Sequence, residues 1–344
     1  MEMNSMTKRG NDIQMKTTLL SQSDIKQVIN MKDAVEIVDK TFQDMGNGKT
    51  IIPTKVGLDL GETAAYPPYE GFMNAMPAYV GWLDIAGIKW AGGFLGERKR
   101  QGLPYITAMI LLIDPKMGYF RAVLDGAYIT NIRTGAQTAV ALKYLHKNKS
   151  IRIGLYGAGM QGHTQIMAIA ELFDIEEVRV YDINKQAGLK YKVDMKDVVK
   201  GDIIIVDTPE EAANGEAVIC VTQSKDKFVK NEWIKPGTIL FPMGSYQECE
   251  DSFILNADKI IVDHIGQSLH RGALKGLSDA GKITEQSIYS TIGEIAAGKN
   301  TGHISGKERI LCIPIGTGAM DVAIAAVALK KATTKKLGGK YTFV

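Results

Sequence analysis

The sequence predicts an α/β chain in which a mainly antiparallel α+β domain precedes a parallel, doubly wound one. Three observations predict it. Residues 151–182, IRIGLYGAGMQGHTQIMAIAELFDIEEVRVYD, read as strand, glycine-rich turn, helix and strand. After Asp182, short apolar strand-like runs alternate with helical stretches, the pattern of a parallel sheet. Before residue 147 the strand-like runs are linked by turn signals instead, as in an antiparallel sheet.

The central stretch carries the sharpest signal. Residues 151–156 are a short apolar strand, and Gly157, Gly159 and Gly162 then set out G-x-G-x-x-G. A helical pattern follows to about Phe173, a second strand covers 177–181, and Asp182 closes it. This is the dinucleotide-binding fingerprint in its strand–turn–helix–strand context. Gly157 permits the tight turn, Gly159 lets backbone approach a pyrophosphate, and Gly162 lets the helix pack close. The helix N-terminus offers unpaired N–H groups to phosphate. Asp182, 20 residues past Gly162, can accept from the ribose hydroxyls and would repel a 2′-phosphate, so NAD(H) is expected over NADP(H). His163 reads as a helix-face residue.

The whole chain sets bounds. Its 344 residues suffice for two domains, and 45% hydrophobic with 23% charged residues argues against disorder. A net charge of +3 gives no reason to expect a nucleic-acid partner. Cys220, Cys249 and Cys312 have no paired or metal-ligand spacing and fit a reducing cytoplasm; no metal is expected. No apolar run approaches the roughly 18 residues that span a bilayer. The polar residues 1–14 lack a secretory h-region and read as an unstructured leader.

Taken in order, 21–29 and 31–45 are expected to be helical. The run IIPTKVGLDL is a strand broken by Pro53, and 61–71 is a loop stiffened by Pro67 and Pro68. MNAMPAYVGWL and IAGIKWAGGF are β-type, and 105–113 with 119–124 form a hairpin. ITNIRTGAQTAVALKYL reads as a turn entering a helix. Strands follow at 202–206, 217–222, 238–241, 259–262 and 309–313, with helices at 210–214, 283–297 and 317–331. Residues 183–201 are lysine-rich and poorly periodic, a solvated face or a shortened crossover.

Three cations stand out in the first domain. Lys55 lies near Pro53 in a strand, where a surface cation is an equal reading. Lys89 sits in GIKWAGG between Trp90 and glycines. Arg133, in NIRTGAQ, is expected at a helix start, where a cation opposes the dipole and needs another reason. A bound carboxylate is such a reason, since guanidinium matches it bidentately.

The order PTK, NAMPAY, GIKW, GLP, IRTGA, GAGMQ, VYD and IGTGAMDVA resembles the ornithine cyclodeaminase/μ-crystallin family, and the tail KKLGGKYTFV is similar to its alanine dehydrogenase branch. The resemblance implies a Rossmann NAD-binding domain at 147–317. It also implies an α+β substrate-binding and dimerisation domain at 15–146, completed by the C-terminal helix within 318–344, in a homodimer. It places the substrate carboxylate on Lys89 and Arg133, with Lys55 as a third cation. Asn74 and Tyr105 occupy further substrate positions. The implied cofactor set adds Thr134, Met160, Gln161, Thr222, Gln223, Ser224, Met243, Gly244, Ser245 and Gly316 to the fingerprint.

Departures from the family pattern leave three functions open. Where ornithine cyclodeaminases carry an Asp in a glycine-rich turn, this chain has FPMGSYQE, with Ser245 or Tyr246 in its place. An NAD-dependent amino- or imino-acid oxidoreductase keeps the cofactor and the carboxylate site, with Lys89, Tyr246 and His270 as catalytic candidates, the latter two as proton acceptors. A cyclodeaminase with recycled NAD is the second reading. A binder of NAD(H) without chemistry is the third.

Overall fold

The computed structural model describes residues 6–9, 12–61, 64, 69–302 and 305–343, and counts of elements refer to these. They form two compact units. Unit 1 takes Met1–Ile37, Gly48–Arg133 and Thr317–Val344, and unit 2 takes Val38–Asn47 and Thr134–Gly316. One boundary falls inside a helix at Arg133, and a short piece of the N-terminal part, Val38–Asn47, belongs to unit 2.

Unit 1 contains β1 (Met6–Arg9), β2 (Asp12–Leu20), α1 (Gln22–Lys26) and the start of α2 (Met31–Gly46). Then come β3 (Thr50–Ile51), β4 (Val56–Asp59), β5 (Gly71–Val80), β6 (Ile85–Phe94), α3 (Gly96–Arg100), β7 (Ile106–Ile113) and β8 (Phe120–Asp125). The first turns of α4 (Ala127–Leu145), α12 (Gly318–Thr334) and β17 (Gly339–Thr342) complete it. Its nine strands run β1-β2-β8-β7-β6-β5-β3, with β17 on β2 and β4 on β5; only β2 and β8 pair parallel. The alternation in β5, β6 and β7 puts Met76, Lys89 and Ile110 side by side on one face. α12 packs on these three strands. Its small buried residues Ala319, Ala323 and Ala325 allow close approach. Gly318 is required there, since a Cβ would stand 2.3 Å from the Met76 carbonyl oxygen.

Unit 2 is an eight-stranded sheet of parallel pairs in the order β11-β10-β9-β12-β13-β16-β14-β15. Its strands are β9 (Ser150–Tyr156), β10 (Asp174–Tyr181), β11 (Asp202–Ile205), β12 (Ala217–Cys220), β13 (Ile239–Pro242), β14 (Lys259–Val262), β15 (Ser290–Thr291) and β16 (Ile310–Ile313). Its helices include α5 (Met160–Ala170), α6 (Lys185–Met195), α7 (Pro209–Ala212), α8 (Asp251–Leu255), α9 (Ile265–His270), α10 (Lys275–Asp279) and α11 (Ile292–Ala296). Every residue of β12, β13, β14 and β16 is buried, which is why these strands read as continuous apolar runs. The order reverses between β9 and β12, the switch point where doubly wound sheets bind ligands beyond the strands' C-terminal ends.

Four expectations change. Residues 6–9 and 12–14, expected in an unstructured leader, are strand: Met6–Arg9 pairs antiparallel with Asp12–Met15, a hairpin that extends the sheet edge. Residues 183–201 hold a full helix, α6, capped by the Asn184 side chain and buried along Gly188, Tyr191 and Met195. Residues 283–297 are not one helix. Ser290 and Thr291 pair with Ile261 and Val262, and the Thr291–Glu294 capping box then starts α11. Finally, α4 begins at Ala127, where the Asp125 carboxylate accepts the Tyr128 N–H at 3.2 Å, so Arg133 lies past the first turn and opposes no helix end. Of the loop at 61–71, residues 62, 63 and 65–68, with Pro67 and Pro68, lie outside the described residues.

Candidate functional site

In unit 2 the glycine turn follows β9. Gly157 has φ +102°, a left-handed conformation that favours glycine, and a Cβ there would meet the Val221 carbonyl oxygen at 2.9 Å. Gly159 precedes α5 as its N-cap, is exposed, and has nothing within 4 Å of its Cβ position. Gly162 is buried, and a Cβ would lie 2.3 Å from the Gly157 carbonyl oxygen. The three glycines thus shape the turn, leave open space over the helix N-terminus, and seat the helix on the turn. Exposed Met160 and half-buried Gln161 open α5. Half-buried Thr134 is the first α4 residue of unit 2.

Asp182 is tied to this turn. One of its oxygens accepts the Ala158 N–H and the other the Asn184 N–H, each at 2.8 Å. Each oxygen keeps a second lone pair for a ribose hydroxyl. An open glycine, a helix N-terminus and an anchored carboxylate at the switch point fit a dinucleotide.

Thr222, Gln223 and Ser224 follow β12, and Met243, Gly244 and Ser245 follow β13. The organiser between these loops is Glu248, which the sequence reading missed. It is fully buried, and one carboxylate oxygen accepts both the Thr222 N–H (3.1 Å) and the Thr222 hydroxyl (2.5 Å). Burial pushes its carboxyl up to about 7, against the lowering by these Thr222 bonds. The Ser224 N–H donates to the Thr222 hydroxyl oxygen, and the Thr138 hydroxyl donates to the Met243 sulfur. Gly316 has φ +88°, and its N–H donates to the buried Asp263 carboxylate at 2.6 Å. Tyr246 is 44% exposed, with the Lys225 ammonium 5.8 Å from its ring centroid. His270 is exposed at the end of α9.

Unit 1 brings two of the predicted cations together. Lys89 on β6 and Arg133 on α4 are both buried, and both meet Asp321 on α12, whose side chain is fully enclosed. The Lys89 Nζ lies 2.7 Å from one Asp321 oxygen and the Arg133 Nε 3.3 Å from the other. Lys89 also donates to the Thr130 hydroxyl at 3.5 Å. Burial, then the Arg133 charge, pull the Lys89 ammonium down to about 8, with Asp321 acting in the opposite direction. Asp321 was not singled out from the sequence. The available signal was one carboxylate inside a strongly apolar helix, which needs a partner.

Two further substrate candidates, Asn74 and Tyr105, lie along this face. Half-buried Asn74 pairs with Ala91, two residues from Lys89 and on the same side of β6. The Tyr105 ring occupies the space a Gly93 side chain would take, with its hydroxyl oxygen 2.4 Å from that Cβ position. Half-buried Lys55 lies in the connection between β3 and β4.

Known proteins share this arrangement of chain. The alanine dehydrogenase of Archaeoglobus fulgidus is 33% identical over 333 residues, covering 96% of this chain and 99% of its own. Among solved structures, an archaeal alanine dehydrogenase dimer with bound NAD superposes with a TM-score of 0.87 at 33% identity, covering 96% of this chain and 100% of the other. The Δ1-pyrroline-2-carboxylate reductase of Thermococcus litoralis, in complex with NADH and L-proline, gives 0.86 at 31% identity, covering 94% and 99%. The sequence model of one family spans both units, matching residues 15–336, and on that extent the chain belongs to the ornithine cyclodeaminase/mu-crystallin family.

Proposed function

We propose that the protein is an NAD(H)-dependent oxidoreductase that interconverts a small α-amino acid and its imino or keto acid. The observation that carries this reading is the buried Lys89–Asp321–Arg133 cluster, two cations enclosed around one carboxylate, in a chain that also holds a dinucleotide turn. NAD supplies the hydride acceptor at its nicotinamide. Unit 2 binds it through the amides above Gly159, the Asp182 carboxylate, and the loops held by Glu248 and Asp263. Lys89 and Arg133 grip the substrate carboxylate and fix the orientation of its Cα, and this positioning supplies much of the rate. Lys55, Asn74 and Tyr105 complete the substrate contacts. Tyr246 and His270 are the proposed proton-transfer groups.

The protein acts as a homodimer in the cytoplasm. Val56, Ala75, Trp90 and Met109, register partners across β4, β5, β6 and β7, form an exposed apolar row that supports the dimer, and three buried, unbridged cysteines support a reducing compartment. Among the described residues no helix is long and apolar enough to cross a membrane.

The test is turnover. Pure protein is incubated with NAD and an amino-acid panel, then with NADH, pyruvate and ammonia or with cyclic imines, while NADH absorbance is followed. Oxidation or reduction of at least one substrate is expected. Ammonia and proline formed from ornithine without net NADH would move the assignment to a cyclodeaminase, and NAD binding without turnover would leave a binder.

A further inference from the structure

We propose that Asp321 is a positioning residue for the substrate: by holding the Lys89 ammonium beside Arg133, it sets the upper pH limit at which the clamp accepts a carboxylate. The inference rests on the reading of Lys89 and Arg133 as that clamp.

Four elements surround Lys89. Its register partners Met76 on β5 and Ile110 on β7 are apolar. α4 supplies the Thr130 hydroxyl and the Arg133 guanidinium, and α12 supplies Asp321. The Thr130 hydroxyl donates its proton to the Gly126 carbonyl at 2.7 Å, so it turns a lone pair to Lys89. The charged groups that act on Lys89 here are therefore Arg133, which expels its proton, and Asp321, which retains it. Enclosed in apolar surroundings beside a guanidinium, a lysine without such a counter-charge sheds its proton well below its ordinary range. Asp321 divides its two oxygens between the cations, one for each. Lys89 thus keeps its proton in the absence of substrate, and the clamp need not gather one before it takes an anion. A neutral Lys89 offers no charge to a carboxylate, so affinity falls as pH rises through its midpoint of about 8.

The experiment measures binding rather than turnover. Formate, acetate and pyruvate are titrated by calorimetry into wild type and Asp321→Asn, each with NADH present, across a pH series. In the wild type, affinity falls above about pH 8. In the near-isosteric Asp321→Asn the fall moves to lower pH by about one unit or more, the usual effect of losing an opposite charge at this range. Asp321→Glu restores the wild-type profile. A fall at the wild-type pH in an Asp321→Asn protein that still binds NADH overturns the proposal. Should Asp321→Asn lose NADH binding, Asp321→Glu decides instead: a displaced profile in a protein that binds NADH overturns it, and a wild-type profile supports it. Failure of all three carboxylates to bind wild type overturns the clamp itself. Turnover is read separately, so a protein with the shifted profile that oxidises no amino acid loses the oxidoreductase reading and keeps this one.

Discussion

The Asp182 carboxylate accepts the Ala158 backbone N–H at 2.8 Å, so the acid proposed to meet the ribose also fastens the glycine turn. Asp182→Ala removes both functions at once. Each charge-assisted hydrogen bond to a carboxylate contributes about 1.5–3 kcal/mol. A rise in the NAD KM of roughly tenfold or more is therefore expected, with kcat at saturating NAD changed far less. The preference for NAD over NADP, taken as a ratio of kcat/KM values, should also shrink, because the variant lacks the carboxylate proposed to repel a 2′-phosphate. An unchanged NAD KM in the variant would remove Asp182 from the cofactor site.

Glu248 gives a prediction about pH. Its folded-state carboxyl is raised to about 7 from an ordinary 4.5. A raised acid is favoured in its protonated form by folding. Its contribution to stability is full below 4.5, declines as pH rises toward 7, and is lost above that. Glu248→Gln keeps an oxygen to accept from Thr222 and removes the buried charge. The variant should be more stable than wild type at pH 8, by on the order of 1–3 kcal/mol, and no more stable at pH 4.5. Thermal melts at the two pH values check this. A uniform gain or loss would show that ionisation of Glu248 is not the cause.

Arg133→Lys keeps the charge and loses the planar fork. If Arg133 grips a substrate carboxylate bidentately, a point charge is a poor substitute. The amino-acid KM should rise by about 10- to 100-fold, corresponding to roughly 1.4–3 kcal/mol. The NAD KM should stay within about twofold, since the fingerprint belongs to unit 2. Steady-state kinetics with each substrate varied in turn separates the two. Equal loss in both constants would point to general misfolding or to a different role for Arg133.

Local features of this chain show in its sequence, and long-range pairings do not. The β9–α5–β10 unit and Asp182 were legible because glycine spacing, strand apolarity and the closing acid are all local. Lys89 and Arg133 were singled out for their settings, but the dipole argument for Arg133 failed. Asp125 starts α4 earlier than the β-branched Ile129, Thr130 and Ile132 suggest. Asp321 was not legible as their partner, since it stands 188 residues from Arg133 and only the tertiary packing of α12 brings it to them. Glu248 was hidden for a similar reason, because its value lies in a bond to Thr222 26 residues away. Helix α6 was missed because its buried positions, Gly188, Tyr191 and Met195, include a glycine and leave little apolar periodicity. In 283–297 a helical apolar pattern conceals a strand pair that only Ile261 and Val262 specify.

The sheet face opposite Lys89 carries an apolar row. Val56, Ala75, Trp90 and Met109 are register partners across β4, β5, β6 and β7, so their side chains form one row. Val56 is 69% exposed, Trp90 53% and Met109 54%. A contiguous apolar row of this kind on an open sheet marks an interaction surface rather than a solvated face. A second copy of the chain is the proposed occupant, and Trp90 at the centre of the row is the expected anchor. Wild-type protein should run as a dimer by size-exclusion chromatography with light scattering. Trp90→Asp should run as a monomer, because it places a charge where the partner must be apolar. NADH binding, which depends on unit 2, reports whether the variant is folded. A monomeric wild type, or a Trp90→Asp protein that remains fully dimeric, would assign this row to some other contact.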